Sequence, residues 1–136
     1  MIIIKQGVDI FSMSDRALIV NPVNTVGVMG AGLAKQFAIR YPDMVGPYKE
    51  ACKTGDLDIG KPWRWNDIIC VATKLHWREP SQYGFIEASL KHLCHYTTPI
   101  ALPPLGAGLG GLDRDIVIDM ITWWLDPSPV EHFLLL

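Results

Sequence analysis

Two glycine-rich segments decide the fold of this chain: "NPVNTVGVMGAG" at 21–32 and "PPLGAGLGGLD" at 103–113. Each follows a short apolar run and precedes a stretch of helical periodicity, so both are expected where a strand gives way to a helix. Glycines at such a junction leave room for a phosphate, and the N–H groups at a helix N-terminus attract its charge. Two such segments at one edge of a sheet indicate a clamp for a single diphosphate.

For either segment alone, simple turn formation is the competing explanation. Neither contains the G-x-x-x-x-G-K-[ST] pattern of nucleoside-triphosphate sites, and the first does not fit the G-x-G-x-x-G spacing of dinucleotide-binding folds. A kinase or a Rossmann dehydrogenase is therefore not indicated.

Composition limits the options further. The chain has 136 residues, 49% of them hydrophobic, which fits one globular domain spanning 1–136. Its formal net charge of −2 provides no overall positive field that would attract nucleic acid. The first residues lack the pattern of a secretory signal, so we expect a cytoplasmic protein without a membrane partner. Cys52, Cys70 and Cys94 are expected to be reduced, buried thiols. No metal site and no cofactor are predicted, since His92, Cys94 and His95 are too close along a helix to converge on one ion.

Short apolar runs alternate with helix-periodic stretches. The runs predict buried strands at 2–4, 17–20, 68–72, 100–102 and 132–136, with an edge strand at 63–65. The periodic stretches predict four helices. The first spans 31–41 and stops at Pro42, and Asp43 and Gly55 bound the second. Ile86, Leu90 and Leu93 mark the third. The fourth has Asp113 and Asp115 in its first turn and a buried face of Ile116, Met120, Ile121 and Trp124. This order predicts an α/β fold with a largely parallel sheet that binds its ligand beyond the carboxyl ends of the strands.

Three polar residues near these strand ends are candidates for ligand contacts. Asn21 and Asn24 could bond to ribose hydroxyls or shape the loop as Asx turns, and we expect Asn21 to be structural and Asn24 to face the ligand. Asp9, followed by apolar Ile10 and Phe11, could accept a hydrogen bond from the exocyclic amine of a base. The alternative for Asp9 is a helix cap.

Taken together, Asp9 with Ile10, "NPVNTVGVMGAGLAKQF", "ATKLHWR" and "PPLGAGLGGLD" resemble the macrodomain family of ADP-ribose binders. The chain is most similar to the DarG-type branch, antitoxin macrodomains that remove ADP-ribose from DNA thymidine. The resemblance implies a three-layer α/β/α sandwich with a mixed, largely parallel sheet. It implies an ADP-ribosyl glycohydrolase, with ADP-ribose as ligand or product.

The resemblance also implies the site. Asp9 and Ile10 would hold the adenine, Asn24 would orient the distal ribose, and both glycine loops would hold the diphosphate. The full implied ligand set comprises Asp9, Ile10, Asn21, Asn24, Gly30, Ala31, Gly32, Leu33, Thr73, Gly106, Ala107, Gly108, Leu109 and Gly110. The implied catalytic residues are Lys74 and Asn24.

Lys74 follows Thr73 after the run "IICVA", where the related branch has its catalytic lysine. An amine at the mouth of a sugar site can attack the anomeric carbon or the ring-opened aldehyde. Without the surrounding motifs, a solvated lysine at a strand end is the simpler explanation.

The segment after Lys74 carries a titratable ring, a stacking surface and a cation in His76, Trp77 and Arg78. This set suits an unstacked base and its phosphate, which makes single-stranded ADP-ribosylated DNA the implied partner. The alternative is that Trp77 packs the domain while Arg78 pairs with Glu79 or Asp67.

Departures from the family pattern bear on the substrate. Ala107 and Arg114 stand where the DNA-directed branch commonly has Cys and Trp. Gly110 stands where a protein-directed branch places an acid, which favours chemistry on DNA. Two alternatives stay open: a reader that binds ADP-ribose without turnover, and a hydrolase of small derivatives such as ADP-ribose 1″-phosphate. A cognate ADP-ribosyltransferase is a further partner that the resemblance leaves open.

Overall fold

The computed structural model describes every residue from Met1 to Leu136 and contains one six-stranded sheet flanked by four helices. The strands are β1 (Ile2–Lys5), β2 (Leu18–Asn24), β3 (Trp63–Trp65), β4 (Ile68–Lys74), β5 (Ile100–Leu102) and β6 (His132–Leu135). The helices are α1 (Gly32–Arg40), α2 (Pro42–Thr54), α3 (Tyr83–Leu93) and α4 (Arg114–Leu125), and a 3₁₀ turn covers Ile10–Met13. The sheet order is β1-β6-β5-β2-β4-β3, and only β3 runs antiparallel to its neighbour.

Two apolar cores sandwich the sheet. One core packs α1 and α2 on the first face, with Phe37, Met44 and Tyr48 fully buried. The other packs α3 and α4 on the second face, where Leu90 and Ile121 are fully buried. Residues of the central strands alternate between the cores, as side chains of successive strand residues point to opposite faces. The predicted three-layer sandwich with a mixed, largely parallel sheet is confirmed.

Both central strands extend further than predicted. β2 continues to Asn24, so Asn21 lies within the strand and not after it. Pro22 lacks the N–H that a ladder needs, so proline is unusual inside a strand paired on both sides. Beyond Ile19, however, β2 pairs only with β4, and a strand paired on one side tolerates proline. β4 likewise runs through Thr73 and Lys74.

Helix boundaries also differ from the sequence prediction. Asp43 does not cap α2, which begins at Pro42 with Asp43 inside its first turn. Asp113 is the N-cap of α4, and its carboxylate accepts hydrogen bonds from the N–H groups of Asp115 and Ile116. Proline suits the first helical position and aspartate the cap, so both shifts agree with local preference.

The predicted buried face of α4 was correct at Ile121 but displaced by one position at Ile116, Met120 and Trp124. Val117, Ile121 and Leu125 face the core, whereas Ile116 is 48% exposed and Met120 and Trp124 are only partly buried. The helix is apolar around most of its circumference, so periodicity alone did not select the inner stripe.

The three cysteines are unpaired, but only Cys70 is fully buried; Cys52 and Cys94 are half-buried. None of the four helices combines the length and apolar character that a membrane span requires.

One buried titratable side chain lies in the sheet itself. His132 of β6 is fully buried, its Nδ1 accepts a hydrogen bond from the Ile100 N–H at 3.2 Å, and its Nε2 has no partner. Burial, followed by the positive N-terminus, lowers the pKa of His132 below its ordinary value. The native state therefore keeps this ring neutral at a pH where the unfolded chain protonates it.

We predict that the free energy of unfolding decreases as the pH falls below about 6.5, by at most about 1.4 kcal/mol per pH unit from this residue. Denaturant unfolding of the wild type and of His132→Asn between pH 7.5 and 5 measures this slope. Asn can still accept from Ile100 but does not titrate, so the variant should lose part of the slope. His92→Asn, at an exposed position, is the control and should keep it. Equal slopes for all three proteins would contradict the prediction.

Candidate functional site

One cavity of about 600 Å³ opens at the carboxyl ends of β2, β4 and β5. Both glycine loops line it, as predicted from their position after strands. Its walls are mostly apolar or backbone, and the lining residues are Pro22, Val23, Asn24, Val28, Gly30, Ala31, Gly32, Leu33, Ala34, Thr73, Lys74, Trp77, Pro103, Pro104, Gly106, Gly108, Leu109 and Gly110. Among these, Lys74 is the only ionisable side chain.

The first loop presents free N–H groups to the cavity. α1 begins at Gly32 without a side-chain cap, and the N–H groups of Gly32, Leu33 and Ala34 donate to no protein acceptor. Gly32 has φ +57°, a left-handed conformation that glycine adopts without strain. An uncapped helix N-terminus that faces a cavity offers hydrogen-bond donors and a partial positive charge that suit an anion.

Asn24 braces this loop from within. Its Oδ1 accepts from the N–H groups of Val26 (3.2 Å) and Val28 (3.3 Å), and its Nδ2 donates to the Val28 carbonyl at 2.8 Å. The side chain thus forms the Asx-type turn that the sequence left open, while one Nδ2 hydrogen stays unused and the residue lines the cavity.

Tyr48 of α2 supports Asn24 from behind. Its hydroxyl donates to the Asn24 backbone carbonyl at 2.8 Å and also lies 3.2 Å from Asn24 Oδ1. The ring is fully buried, and this burial raises the pKa of the Tyr48 hydroxyl far above its usual value. Tyr48 therefore acts as a neutral donor that fixes the end of β2.

The second loop is closed on itself and offers its own donors. The Leu112 N–H donates to the Gly106 carbonyl at 3.0 Å, and the Ser81 N–H donates to the Gly110 carbonyl at 3.0 Å. The N–H groups of Gly108, Leu109 and Gly110 donate to no protein acceptor. These bonds hold the loop in shape and leave its amides available to a ligand.

Gly110 cannot carry a side chain in this conformation. A Cβ there would overlap Ser81 Oγ and the Gly106 carbonyl oxygen. Ser81 is itself buried, and its hydroxyl has no partner. Close packing against Ser81 therefore accounts for glycine at this position.

Lys74 ends β4 beside the second loop. Its Nζ lies 3.2 Å from the Leu109 carbonyl oxygen and 3.5 Å from that of Trp77. No carboxylate pairs with it, since the ion pairs of the protein are Arg16 with Asp15 and Arg40 with Asp9. The preceding Thr73 is buried, and its hydroxyl contacts the Val23 carbonyl at 3.5 Å. The amine is thus held inside the cavity without an acidic neighbour.

The segment after Lys74 forms an aromatic and cationic group at the cavity mouth. Trp77 is 46% exposed and lines the cavity, and the His76 ring stacks on it with centroids 5.2 Å apart. The Arg78 guanidinium lies 4.5 Å from the Trp77 ring centroid. Arg78 therefore pairs with the tryptophan and not with Glu79 or Asp67. His76 and Arg78 do not line the cavity themselves.

Four other predicted ligand residues also lie outside the cavity lining: Asp9, Ile10, Asn21 and Ala107. Asp9 caps the 3₁₀ turn through the Phe11 N–H at 3.0 Å, which is the alternative weighed for it, and its second oxygen lies 3.9 Å from Arg40. Asn21 is fully buried, with Nδ2 near the sulfurs of Met29 (3.5 Å) and Cys70 (3.7 Å). Asn21 therefore lies in the core away from the cavity lining, and its place in the ligand set stays a prediction.

Sequence reasoning missed six residues of the wall. They are the apolar and small residues Pro22, Val23, Val28, Ala34, Pro103 and Pro104. Pro103 and Pro104 directly follow a buried strand, which was the available signal, whereas Pro22 lies inside β2. Val23, Val28 and Ala34 have no chemistry that a motif would reveal.

Comparison with known proteins agrees with this geometry. The family model "Macro domain" matches residues 20–121. A Mycobacterium tuberculosis protein named DNA ADP-ribosyl glycohydrolase is 43% identical over 117 residues, which cover 76% of this chain and 33% of that protein. A Thermosipho africanus protein, named a fusion of DNA ADP-ribosyl transferase and DNA ADP-ribosyl glycohydrolase, is 31% identical over 142 residues, covering 82% of this chain and 37% of that protein. The chain thus spans about a third of the length of these relatives.

Solved structures give the same result. The macrodomain of Thermus aquaticus DarG matches with a TM-score of 0.91 and 35% identity, covering 100% of this chain and 98% of that one. Thermosipho africanus DarTG in complex with ADP-ribose matches with a TM-score of 0.83 and 29% identity, covering 96% of this chain and 41% of that one. On the family match, the sequence identities and the shared fold, the chain belongs to the macro domain family.

Proposed function

We propose that this protein is an ADP-ribosyl glycohydrolase that releases ADP-ribose from ADP-ribosylated DNA, with Lys74 as the nucleophile. The observation that carries the proposal is that Lys74 is the only ionisable side chain lining a cavity whose two loops offer amides to a diphosphate. The names of the relatives, DNA ADP-ribosyl glycohydrolases, support the same reaction and substrate.

The ligand would run from α1 to the end of β4. The amides of Gly32 to Ala34 and of Gly108 to Gly110 would hold the diphosphate, and the unused Nδ2 hydrogen of Asn24 would orient the distal ribose. The adenine would extend toward Asp9 and Ile10, which lie on the α1 side because Phe11 packs on Phe37 with ring centroids 4.8 Å apart. The distal ribose would then reach the Lys74 amine.

The chemistry follows from the position of that amine. Deprotonated Lys74 would attack C1″ of the distal ribose, forming an Nζ–C1″ bond while the bond from C1″ to the base nitrogen breaks. The leaving base keeps the electron pair and takes up a proton. Water would then attack C1″ and displace the amine, which yields ADP-ribose and restores Lys74. Fixing the diphosphate at both loops would align the anomeric carbon for the first step.

We propose the cytoplasm as the site of action and a cognate DNA ADP-ribosyltransferase as the source of the substrate. Three unpaired thiols suit a reducing compartment. The Thermosipho africanus relative, named a fusion of the two activities, supports the pairing.

Lys74→Ala should abolish release of ADP-ribose from an ADP-ribosylated single-stranded oligonucleotide, with a rate loss of at least about 100-fold because the variant has no nucleophile. It should still bind ADP-ribose in calorimetry, since the amides of both loops are unchanged. Lys35→Ala, at an exposed α1 position outside the cavity, is the matched control and should act as the wild type.

Equal release by Lys74→Ala and the wild type would refute the catalytic role. A wild type that binds ADP-ribose but releases none would identify a reader. Phosphate release from ADP-ribose 1″-phosphate, without release from DNA, would identify a hydrolase of small derivatives.

Trp77→Ala should weaken binding of a single-stranded oligonucleotide, by about 1 kcal/mol or more if a base stacks on the indole. A base stacking there would replace the Arg78 guanidinium, which would then be free to meet a backbone phosphate. ADP-ribose affinity should change less than oligonucleotide affinity, and fluorescence anisotropy beside calorimetry measures the difference. An unchanged oligonucleotide affinity would show that Trp77 only packs the loop.

Gly110→Ala should lower ADP-ribose affinity by about tenfold or more, because the added Cβ displaces the second loop from Ser81 and moves its amides. Gly84→Ala in α3, where a Cβ meets nothing within 4 Å, is the matched control and should bind normally. Calorimetry measures both, and thermal unfolding shows whether each variant folds. Normal affinity in folded Gly110→Ala would rule out the second loop as a rigid diphosphate holder.

A further inference from the structure

A second cavity of about 340 Å³ lies on the other side of the first glycine loop. The loop and α2 form it together, and its lining residues are Thr25, Val26, Gly27, Val28, Lys49, Cys52 and Lys53. None of the catalytic or diphosphate contacts proposed above uses this space.

Two cations dominate this cavity. Lys49 and Lys53 are four residues apart on α2, so their side chains lie on one face of the helix. Both are exposed, and neither belongs to an ion pair, although the chain as a whole carries a net charge of −2. Two adjacent ammonium groups without a carboxylate partner attract an anion.

Cys52 adds no negative charge to the floor of the cavity. Burial raises the pKa of its thiol, and the negative charge of Asp58, which lies outside the lining, raises it further, so this side chain stays neutral near pH 7. Gly27 has φ +86°, and a Cβ there would lie 3.3 Å from Lys49 Cγ. The loop therefore packs directly on the stem of Lys49, which fixes that side chain beside the loop.

The second cavity is adjacent to the main one. Val28 lines both cavities. Thr25 joins the same loop to the end of β4, because its hydroxyl donates to the Leu75 carbonyl at 2.7 Å and its N–H donates to the Lys74 carbonyl at 3.2 Å. Trp77 and Arg78 follow from that strand end. Lys49 and Lys53 thus line the cavity next to the main one, and Arg78 lies over Trp77 of the main cavity.

We propose that the second cavity is a phosphate subsite for the nucleic-acid strand whose modified base occupies the main cavity, with Lys49 and Lys53 as its cationic contacts. This inference rests on the function proposed above. A continuous strand is favoured over a separate acidic ligand because the two cavities share a wall. With no global basic field, a strand must be held by local contacts, and a phosphate beside the scissile unit fixes its register.

The first test measures binding of an unmodified single-stranded oligonucleotide by the wild type, by Lys49→Gln/Lys53→Gln and by a charge-matched control. The control is Arg16→Gln/Lys91→Gln, which removes the same charge near the amino ends of the strands, away from both cavities. We expect the lysine variant to lose about tenfold in affinity at low salt, with a shallower salt dependence by about 0.7 in the log–log slope per lost phosphate contact. The control should keep the wild-type slope.

Calorimetry with ADP-ribose separates this inference from the proposed function. The lysine variant should bind ADP-ribose as the wild type does, because the diphosphate loops are intact. Equal losses in the lysine variant and the control would reduce the effect to net charge and overturn the proposal. Absence of oligonucleotide binding by the wild type at low salt would overturn it as well.

The second test identifies the phosphate itself. Single phosphates of the oligonucleotide are replaced in turn by uncharged methylphosphonates. One position should weaken binding to the wild type several-fold while leaving Lys49→Gln/Lys53→Gln unaffected. If every position affects both proteins equally, the second cavity holds no strand phosphate, whatever the outcome of the Lys74 experiment. If Lys49→Gln/Lys53→Gln instead loses binding to an acidic peptide but not to the oligonucleotide, the lysines contact a protein partner and the proposal is overturned.

Discussion

The proposed binding site depends on two sets of backbone N–H groups that face one cavity and have no acceptor in the protein. The loops that carry them keep their shape through other bonds: Asn24 turns the first loop, and Ser81 holds the second through Gly110. Because a polar group near the interior needs a partner, amides left free by such well-formed loops define a place for an anion. The parallel strands bring both loops to one edge of the sheet, and the two cores hold those strands in place.

Features encoded by local chemistry were predictable from the sequence. Such features can be recognised within a short stretch of sequence. They are glycines before a helix, apolar runs bounded by turn residues, and a lysine at a strand end. They predicted six strands and four helices with boundaries a few residues from those observed, and they put both loops and Lys74 at strand ends. Continuous apolar strands also indicated a covered, largely parallel sheet.

Features set by register and packing were not predictable in this way. For Asn24 the sequence left open whether the side chain shapes the loop or faces the ligand, because the Asx turn around Val26 and Val28 depends on how β2 ends. Pro22 lies inside a central strand because β5 is too short to pair with it. Apolar residues occur around most of α4, so the sequence of this helix does not show which face is buried. Contact with α3 and the sheet decides it. The basic cavity behind the first loop combines residues from two segments that no motif connects.

In the proposed mechanism, backbone amides bind the ligand and a single side-chain amine reacts with it. Amides bind a diphosphate with fixed geometry and do not change charge with pH, so they select and align a ligand without reacting with it. The cavity wall otherwise contains apolar side chains, the amide of Asn24 and the hydroxyl of Thr73. Lys74 is the only ionisable side chain in this wall, and we propose it as the nucleophile; its Nζ lies 3.2 Å from the Leu109 carbonyl, within the loop proposed to hold the diphosphate. A ligand whose diphosphate binds both loops would displace the Lys74 Nζ from the Leu109 carbonyl. The same binding step would then bring the amine next to the distal ribose.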